Sequence, residues 1–114
     1  MGDLLPGLAG GSAELEFYEK ALAVSERLAA AAPENADYAR DLSVSYNNMG
    51  DMCRALGDGR GARDFYEKML AVCERLAAAA PENADYARNL SVSYGRMGAV
   101  FRARGECRAE REFY

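Results

Sequence analysis

The chain has 114 residues, half of them apolar, and a formal net charge of −4. These values are typical of one globular domain with a modest core, not of a disordered segment. Acidic and basic residues are interleaved without a net basic stripe, so we expect neither nucleic acid nor a membrane surface as a partner. No apolar run approaches the roughly 20 residues that cross a bilayer, and we expect a soluble, cytoplasmic protein.

The first eleven residues differ in composition from the rest of the chain. Residues 1–11 are rich in glycine and contain Pro6, so we expect an irregular lead-in before a helical domain over residues 12–114. Apolar residues then recur at steps of three and four, which is typical of helices with a wide buried face. This spacing predicts helices over about 12–32, 36–56, 61–80, 84–104 and 107–114.

Proline and glycine residues separate these predicted helices. Pro33 and Pro81 end the first and third, because the residue before a proline disfavours helical geometry. Gly57 and Gly105 end the second and fourth, since glycine is the usual residue after a helix C-terminus.

One long stretch of the sequence occurs twice. Residues 26–40 recur letter for letter at 74–88, which is 48 residues later, and residues 17–20 recur at 65–68. Self-similarity at a fixed spacing of about 20–50 residues is typical of stacked repeats. The sequence therefore predicts a helical repeat architecture.

The residues that usually carry chemistry are sparse. Cys53, Cys73 and Cys107 are far apart and there is no histidine, so we expect no metal site and free thiols in a reducing compartment. Neither a nucleophile motif nor a phosphate-binding glycine loop is present. We therefore expect a protein that is not an enzyme, has no catalytic residues and uses no cofactor.

The pattern of one helix pair resembles the tetratricopeptide repeat. Its residues are, in order, Tyr46, Met49, Gly50, Cys53, Leu56, Gly57, Asp58, Ala62, Tyr66, Met69 and Leu70, and the second copy supplies Tyr94, Met97, Gly98 and Phe101. The usual repeat has about 34 residues, so this 48-residue unit is similar to the longer repeats of kinesin light chains and of bacterial arrays. The resemblance implies an all-α fold of antiparallel helix-turn-helix repeats, stacked as a right-handed superhelix. It also implies that Gly50 and Gly98 lie where paired helices come closest.

The resemblance further implies a non-catalytic scaffold that binds a peptide or a partner protein in a concave groove. The residues expected in that groove are Val44, Asn47, Asn48, Asp51, Arg54, Val92, Arg96 and Arg102. Relatives that hold a peptide C-terminus carry an asparagine and an arginine at the positions of Asn48 and Arg96, which implies a carboxylate clamp. Val92 stands where such relatives have a lysine, and an ordinary solvated polar face is the alternative.

A second hypothesis is that the chain binds copies of itself. Terminal repeats normally carry polar caps, whereas apolar residues are expected to face outward at both ends of this chain: Phe17, Leu22, Leu28, Tyr94, Met97 and Phe101. This arrangement predicts a homo-oligomer, formed by head-to-tail stacking or by a swapped dimer. A fragment of a longer repeat array is the alternative interpretation.

Overall fold

The computed structural model describes the backbone of residues 6–113 and the side chains of residues 13–105. This part of the chain forms four helices: α1 (Pro6–Ala31), α2 (Ala36–Ala55), α3 (Gly59–Ala79) and α4 (Ala84–Phe113). Each helix packs against its neighbours in the sequence. The molecule measures 46 × 44 × 20 Å. The predicted all-α fold is confirmed.

The first helix begins earlier than the sequence predicted. α1 starts at Pro6, whereas an irregular segment was predicted up to residue 11. Proline is well suited to the first helical position, because its φ is already helical and its missing N–H would have no partner there. Residues 1–5 of the predicted lead-in lie outside the described residues.

The joint between repeats has the same caps in both copies. Asn35 caps α2 by accepting a hydrogen bond of 3.0 Å from the Tyr38 N–H. Asn83 accepts the equivalent bond from the Tyr86 N–H at 3.1 Å. A side-chain acceptor at this position satisfies one of the unpaired N–H groups of a helix N-terminus. The identical sequence therefore gives an identical start to α2 and α4.

Side-chain contacts across the two joints also recur. The Tyr46 hydroxyl donates to Glu26 at 3.4 Å, and the Tyr94 hydroxyl donates to Glu74 at 3.2 Å. Burial and then Glu26 raise the pKa of Tyr46. The pKa of Tyr94 is also raised, and its hydrogen bond to Glu74 is the largest cause. Each tyrosine therefore keeps its proton and remains a donor to the preceding helix.

A pair of serines marks a difference between the joints. Ser25 and Ser45 share a hydrogen bond of 3.1 Å between α1 and α2. The counterpart of Ser45 is Ser93, whose buried hydroxyl has no hydrogen-bond partner among the described residues. The counterpart of Ser25 is Cys73, a much weaker hydrogen-bonding group than serine. The substitution explains the unpaired hydroxyl.

The α2–α3 turn is built by glycine and aspartate. Gly57 has a φ of 82°, a left-handed conformation that glycine adopts without strain. Asp58 then caps α3 by accepting a hydrogen bond of 2.9 Å from the Gly61 N–H. The close spacing of these two features lets α3 fold back along α2.

No turn forms at the position of the second copy that corresponds to the α2–α3 turn. α4 continues as one helix through Gly105 to Phe113, whereas a break at Gly105 and a separate helix over 107–114 were predicted. The counterpart of the capping Asp58 is Glu106 and the counterpart of Gly59 is Cys107. Glutamate is a poor N-cap, so nothing favours a new helix start there. Tyr114 lies outside the described residues.

The core lies mainly between α2 and α3. Tyr66 and Ala62 are fully buried, and a Cβ added to Gly50 would overlap the Tyr66 ring. The predicted close approach at Gly50 is therefore confirmed. Cys53 and Cys73 are buried free thiols whose pKa values are raised by burial, so they serve as small residues of the core.

Candidate functional site

The residues predicted to form a groove lie on α2 and α4. We call this set of side chains the α2–α4 face, and it consists of Val44, Asn47, Asn48, Asp51, Arg54, Val92, Arg96 and Arg102. Four of the eight side chains are exposed and four are partly buried. The helices α2 and α4 are not neighbours in the sequence, yet a side chain of α4 reaches α2. This side chain, Arg96, therefore joins the residues predicted on one copy to those predicted on the other.

Arg96 connects the two helices. Its Nε donates a hydrogen bond of 3.0 Å to Asn47 Oδ1 and lies 3.4 Å from Asp51 Oδ1. Both of its partners are on α2, 49 and 45 positions earlier in the chain. A charge-assisted bond of this kind holds the arginine in one orientation. Arg96 thus links α2 and α4 by a polar contact.

Asp51 extends this contact to α3. Its Oδ1 accepts a hydrogen bond of 2.5 Å from the Tyr66 hydroxyl. Burial, followed by the hydrogen bond to Asp51, raises the pKa of Tyr66, so the phenol remains a donor. Sequence reasoning placed Tyr66 only in the core and missed its role beneath this face. Its tyrosine hydroxyl is the one available signal, because a buried hydroxyl needs a partner.

An open cleft lies beside this polar contact. It has a volume of about 440 Å³ and is lined by Asp51, Arg54, Ala55 and Arg96. Two guanidinium groups face one carboxylate here, so the cleft is locally basic although the whole chain is acidic. Such a surface favours a negatively charged ligand group.

Apolar groups flank the cleft along the same face. Val44 is 50% exposed and Val92 is 42% exposed, and these residues are counterparts in the two repeats. Arg102 is exposed on α4 and takes part in an interaction there. A surface with both apolar and cationic groups can bind a peptide through side chains of two kinds.

The carboxylate clamp predicted for Asn48 and Arg96 meets a different geometry. The partners of the Arg96 Nε are Asn47 and Asp51, and Asn48 lies partly buried beside them in the sequence. Because Asp51 already places a carboxylate against Arg96, a ligand carboxylate would approach a partly neutralised cation. The carboxylate clamp therefore stays a prediction.

The residues predicted for self-association divide into two groups. Phe17, Leu28, Tyr94 and Phe101 are exposed, as expected. Leu22 and Met97 instead pack against the core, so for them the predicted outward orientation is wrong. Leu22 is one helical turn from Ser25 and Glu26, which contact α2, and Met97 shares its stripe with buried Ser93 and Val100. The helical period turns both inward.

The sequence did not predict a second groove. It has a volume of about 460 Å³ and lies between α1, α2 and α3, with a lining that includes Ala30, Leu42, Lys68, Ala71 and Arg75. Runs of alanine in the duplicated joint are the signal that could have indicated it, because small side chains leave space between helices.

A comparison with known protein families finds a match in the α2–α3 pair. Residues 42–78, which cover most of α2 and nearly all of α3, match the model of a tetratricopeptide repeat family. The chain therefore contains a tetratricopeptide repeat. Repeats of this family indicate a protein-interaction module and are generally non-catalytic scaffolds. No curated protein and no solved structure matches the chain significantly.

Other kinds of site were sought in the same part of the chain. Within the described residues, no three acidic, cysteine or histidine side chains come together as a group that could hold a metal ion. No described helix combines the length and the apolar character needed to cross a membrane.

Proposed function

We propose that the chain is a protein-interaction scaffold that binds an acidic peptide segment of a partner protein along the α2–α4 face. The observation that supports this proposal most directly is the locally basic cleft between Arg54 and Arg96. It lies on the first helix of the matched repeat, and it continues onto α4 through the contact between Arg96 and Asn47.

The charges of the cleft favour acidic side chains. Arg96 uses its Nε toward Asn47 and Asp51, and a guanidinium carries four further N–H donors on its two Nη atoms. Arg54 is exposed on the rim. A peptide glutamate or aspartate could accept bidentate hydrogen bonds from such a group, which are stronger than bonds between neutral partners.

The exposed valines would add apolar contacts. Val44 and Val92 lie on the same face as the cleft and are separated from it by about one to two helical turns. An extended peptide rises about 3.3 Å per residue, so a segment of several residues spans both features. Its expected composition is a pair of acidic residues next to an aliphatic one.

A random peptide library displayed on phage tests the proposal. Peptides enriched on the wild-type chain should be rich in acidic residues. The same peptides are then synthesised, and calorimetry measures their affinity for the chain. We expect Arg54→Glu and Val92→Glu each to weaken binding at least about tenfold, equal to about 1.4 kcal/mol. Both residues are exposed, so the fold should persist.

The matched control is Arg75→Glu, an equal charge reversal at an exposed residue of the other groove. It should leave peptide binding unchanged. The proposal would be wrong if no acidic peptide is enriched, or if Arg75→Glu weakens binding as much as Arg54→Glu does.

A further inference from the structure

Two helix faces of the described part carry large exposed apolar residues, one of which, Phe101, has the Arg63 guanidinium 5.5 Å from its ring centroid. On α1 the exposed residues are Phe17, Val24 and Leu28, and on α4 they are Tyr94 and Phe101. These faces belong to the two outer helices, since α1 packs on α2 and α4 packs mainly on α3. Scattered apolar residues are ordinary on a surface, whereas contiguous faces of this kind mark contact sites.

The faces reproduce the two sides of the α2–α3 interface. α1 is the 48-residue counterpart of α3, and α4 is the counterpart of α2. Seven interface positions are identical in the two sets: Phe17 and Phe65, Tyr18 and Tyr66, Lys20 and Lys68, Val24 and Val72, Leu28 and Leu76, Tyr94 and Tyr46, Gly98 and Gly50. Each free face therefore has the composition of one half of an interface that exists within the same molecule.

Burial shows how the same residues differ in the two settings. Val72 and Leu76 of α3 are each 8% exposed, whereas Val24 and Leu28 of α1 are 45% and 38% exposed. The residues are identical, so only the missing neighbour accounts for the difference. Covering an exposed Val or Leu side chain contributes about 1.5–3 kcal/mol when burial is complete.

Gly98 offers the most specific feature of the α4 face. At Gly50 the Tyr66 ring occupies the place of a side chain, whereas nothing lies within 4 Å of the corresponding place at Gly98. Tyr18 on α1 is the counterpart of Tyr66. A tyrosine is thus available in the sequence to fill an open position of matching shape.

A cluster of rings and a lysine repeats as well. Between α2 and α3, the Tyr46 and Phe65 rings lie 6.4 Å apart, and Lys68 lies 5.9 Å and 5.6 Å from their centroids. On α1, Lys20 already lies 5.8 Å from the Phe17 ring. The α1 face therefore holds its half of the cluster in the bound arrangement, and Tyr94 would supply the other half.

We propose that α1 of one copy packs on α4 of a second copy in the register of the α2–α3 pair, with Tyr18 over Gly98. The two faces are different surfaces, so the contact is heterologous and links copies head to tail. No turn is needed to join the helices. α1 extends five residues beyond the counterpart of the α3 start, and α4 continues to Phe113 past the counterpart of the turn.

The positions that differ change the contact in both directions, since Glu14 must fit where the corresponding Ala62 is fully buried. Ala62 is replaced by Glu14 and Leu56 by Arg104, so opposite charges lie at the turn end of the proposed pair and favour this register. Met69 is replaced by the smaller Ala21, which reduces the area buried. We therefore expect an association weaker than the covalently joined α2–α3 pair.

Sedimentation velocity from about 1 μM to about 1 mM, the range of weak to moderate complexes, measures the association. The wild-type chain should rise above its monomer mass of 12.4 kDa with concentration. Gly98→Ala should remain a monomer over that range, because its Cβ would overlap Tyr18 of the other copy. The matched control is Gly95→Ala, since Gly95 is also in α4 with open space around it; this variant should associate like the wild type.

A mixing experiment distinguishes head-to-tail contact from a symmetric dimer. Phe17→Asp should block the α1 face, and it changes a residue that is 69% exposed, so the monomer should fold. Phe17→Asp and Gly98→Ala should each be monomeric alone and should form a two-chain complex when mixed, because each retains the face that the other has lost.

Three results would overturn the proposal. These are a wild-type chain that is monomeric at every concentration, a Gly98→Ala variant that associates like Gly95→Ala, or a mixture that remains monomeric. Circular dichroism of each variant establishes that loss of association is not loss of helix.

Discussion

The α2–α3 pair and the α4 helix are built from nearly the same pattern of residues and reach different structures. In the first, Gly50 receives the Tyr66 ring, Gly57 turns the chain and Asp58 caps the next helix. In the second, Gly98 is open and the helix continues through Gly105. The difference shows that a glycine in a repeat acquires its role from the neighbouring helix. Glycine is required at position 50, where the Tyr66 ring leaves no room for a Cβ. At position 98 it only lowers the stability of the helix.

The largest expected effect is at the closely packed glycine. Gly50→Ala should lower the free energy of unfolding by about 2 kcal/mol or more, because overpacking of a core exceeds the gain in helix propensity. Urea denaturation followed by circular dichroism at 222 nm measures the change. A loss smaller than about 0.5 kcal/mol would contradict the close approach of α2 and α3.

The hydroxyl of the tyrosine that packs on Gly50 gives the next effect. Tyr66→Phe removes the hydrogen bond to Asp51 and should cost about 1.5 kcal/mol, the lower end for a bond to a charged group. The control is Tyr94→Phe, whose hydroxyl bonds Glu74 at an exposed site and should cost less than about 0.5 kcal/mol. Equal losses of stability in the two variants would show that burial does not strengthen the hydrogen bond of Tyr66.

The same hydroxyl predicts a pH dependence. The pKa of Tyr66 is raised from its ordinary value of 10.0, first by burial and then by Asp51. A raised pKa in the folded state means that this stabilisation is complete below pH 10.0 and is lost as the pH rises through the folded value. The free energy of unfolding, measured between pH 8 and about 11.5, should fall less steeply with rising pH for Tyr66→Phe than for the wild type. Parallel curves would contradict this.

The α2–α3 turn can be given the residue that occupies the corresponding position within α4. Asp58→Glu places at residue 58 the residue type found at 106, and should cost about 1 kcal/mol through the loss of the N-cap. Hydrogen exchange of the Gly61 N–H, the donor in this cap, should become faster. An unchanged exchange rate and stability would mean that packing alone sets the start of α3.

The open glycine should respond with the opposite sign. Gly98→Ala should raise the free energy of unfolding by about 1 kcal/mol, because alanine is the better helix former and meets no neighbouring atom. The measurement is made at low micromolar concentration, where association does not contribute. A destabilisation like that of Gly50→Ala would show that a neighbour covers Gly98 even in the dilute chain.

The smallest effect concerns the two serines of the joints. Ser45→Ala loses a hydrogen bond with Ser25 and should cost about 0.5–1 kcal/mol, whereas Ser93→Ala removes an unpaired buried hydroxyl and should be neutral or slightly stabilising. Thermal unfolding of the two variants side by side gives the difference. A greater loss for Ser93→Ala would reveal a partner for its hydroxyl.

Much of the fold could be predicted from the sequence because the repeat and its caps are local signals. Asn35 and Asn83, each following a Pro-Glu pair, indicate where α2 and α4 begin, and the structure places both caps there. Gly50 was correctly assigned to a close approach of helices, since the aromatic residue it accommodates is part of the same repeat pattern.

The misses share a physical cause, which is dependence on a neighbour or on competing local preferences. Gly98 has the same sequence context as Gly50, and only the presence of a packed helix distinguishes them. Pro6 was read as a helix breaker although proline also suits a helix start. The contact of Arg96 with Asn47 and Asp51 joins positions almost one repeat apart, and no local pattern reports such a distance.

The mainly sequential packing of the helices has a consequence for how the molecule opens. Since α1 packs on α2, and α4 packs on α3 with Arg96 as an added contact to α2, neither outer helix is needed to hold the other in place. Either one can detach without separating the α2–α3 pair, as in a linear array where each unit rests on its nearest neighbours. Loss of structure should proceed inward from the two ends, and the matched repeat at the centre should be the last part to unfold.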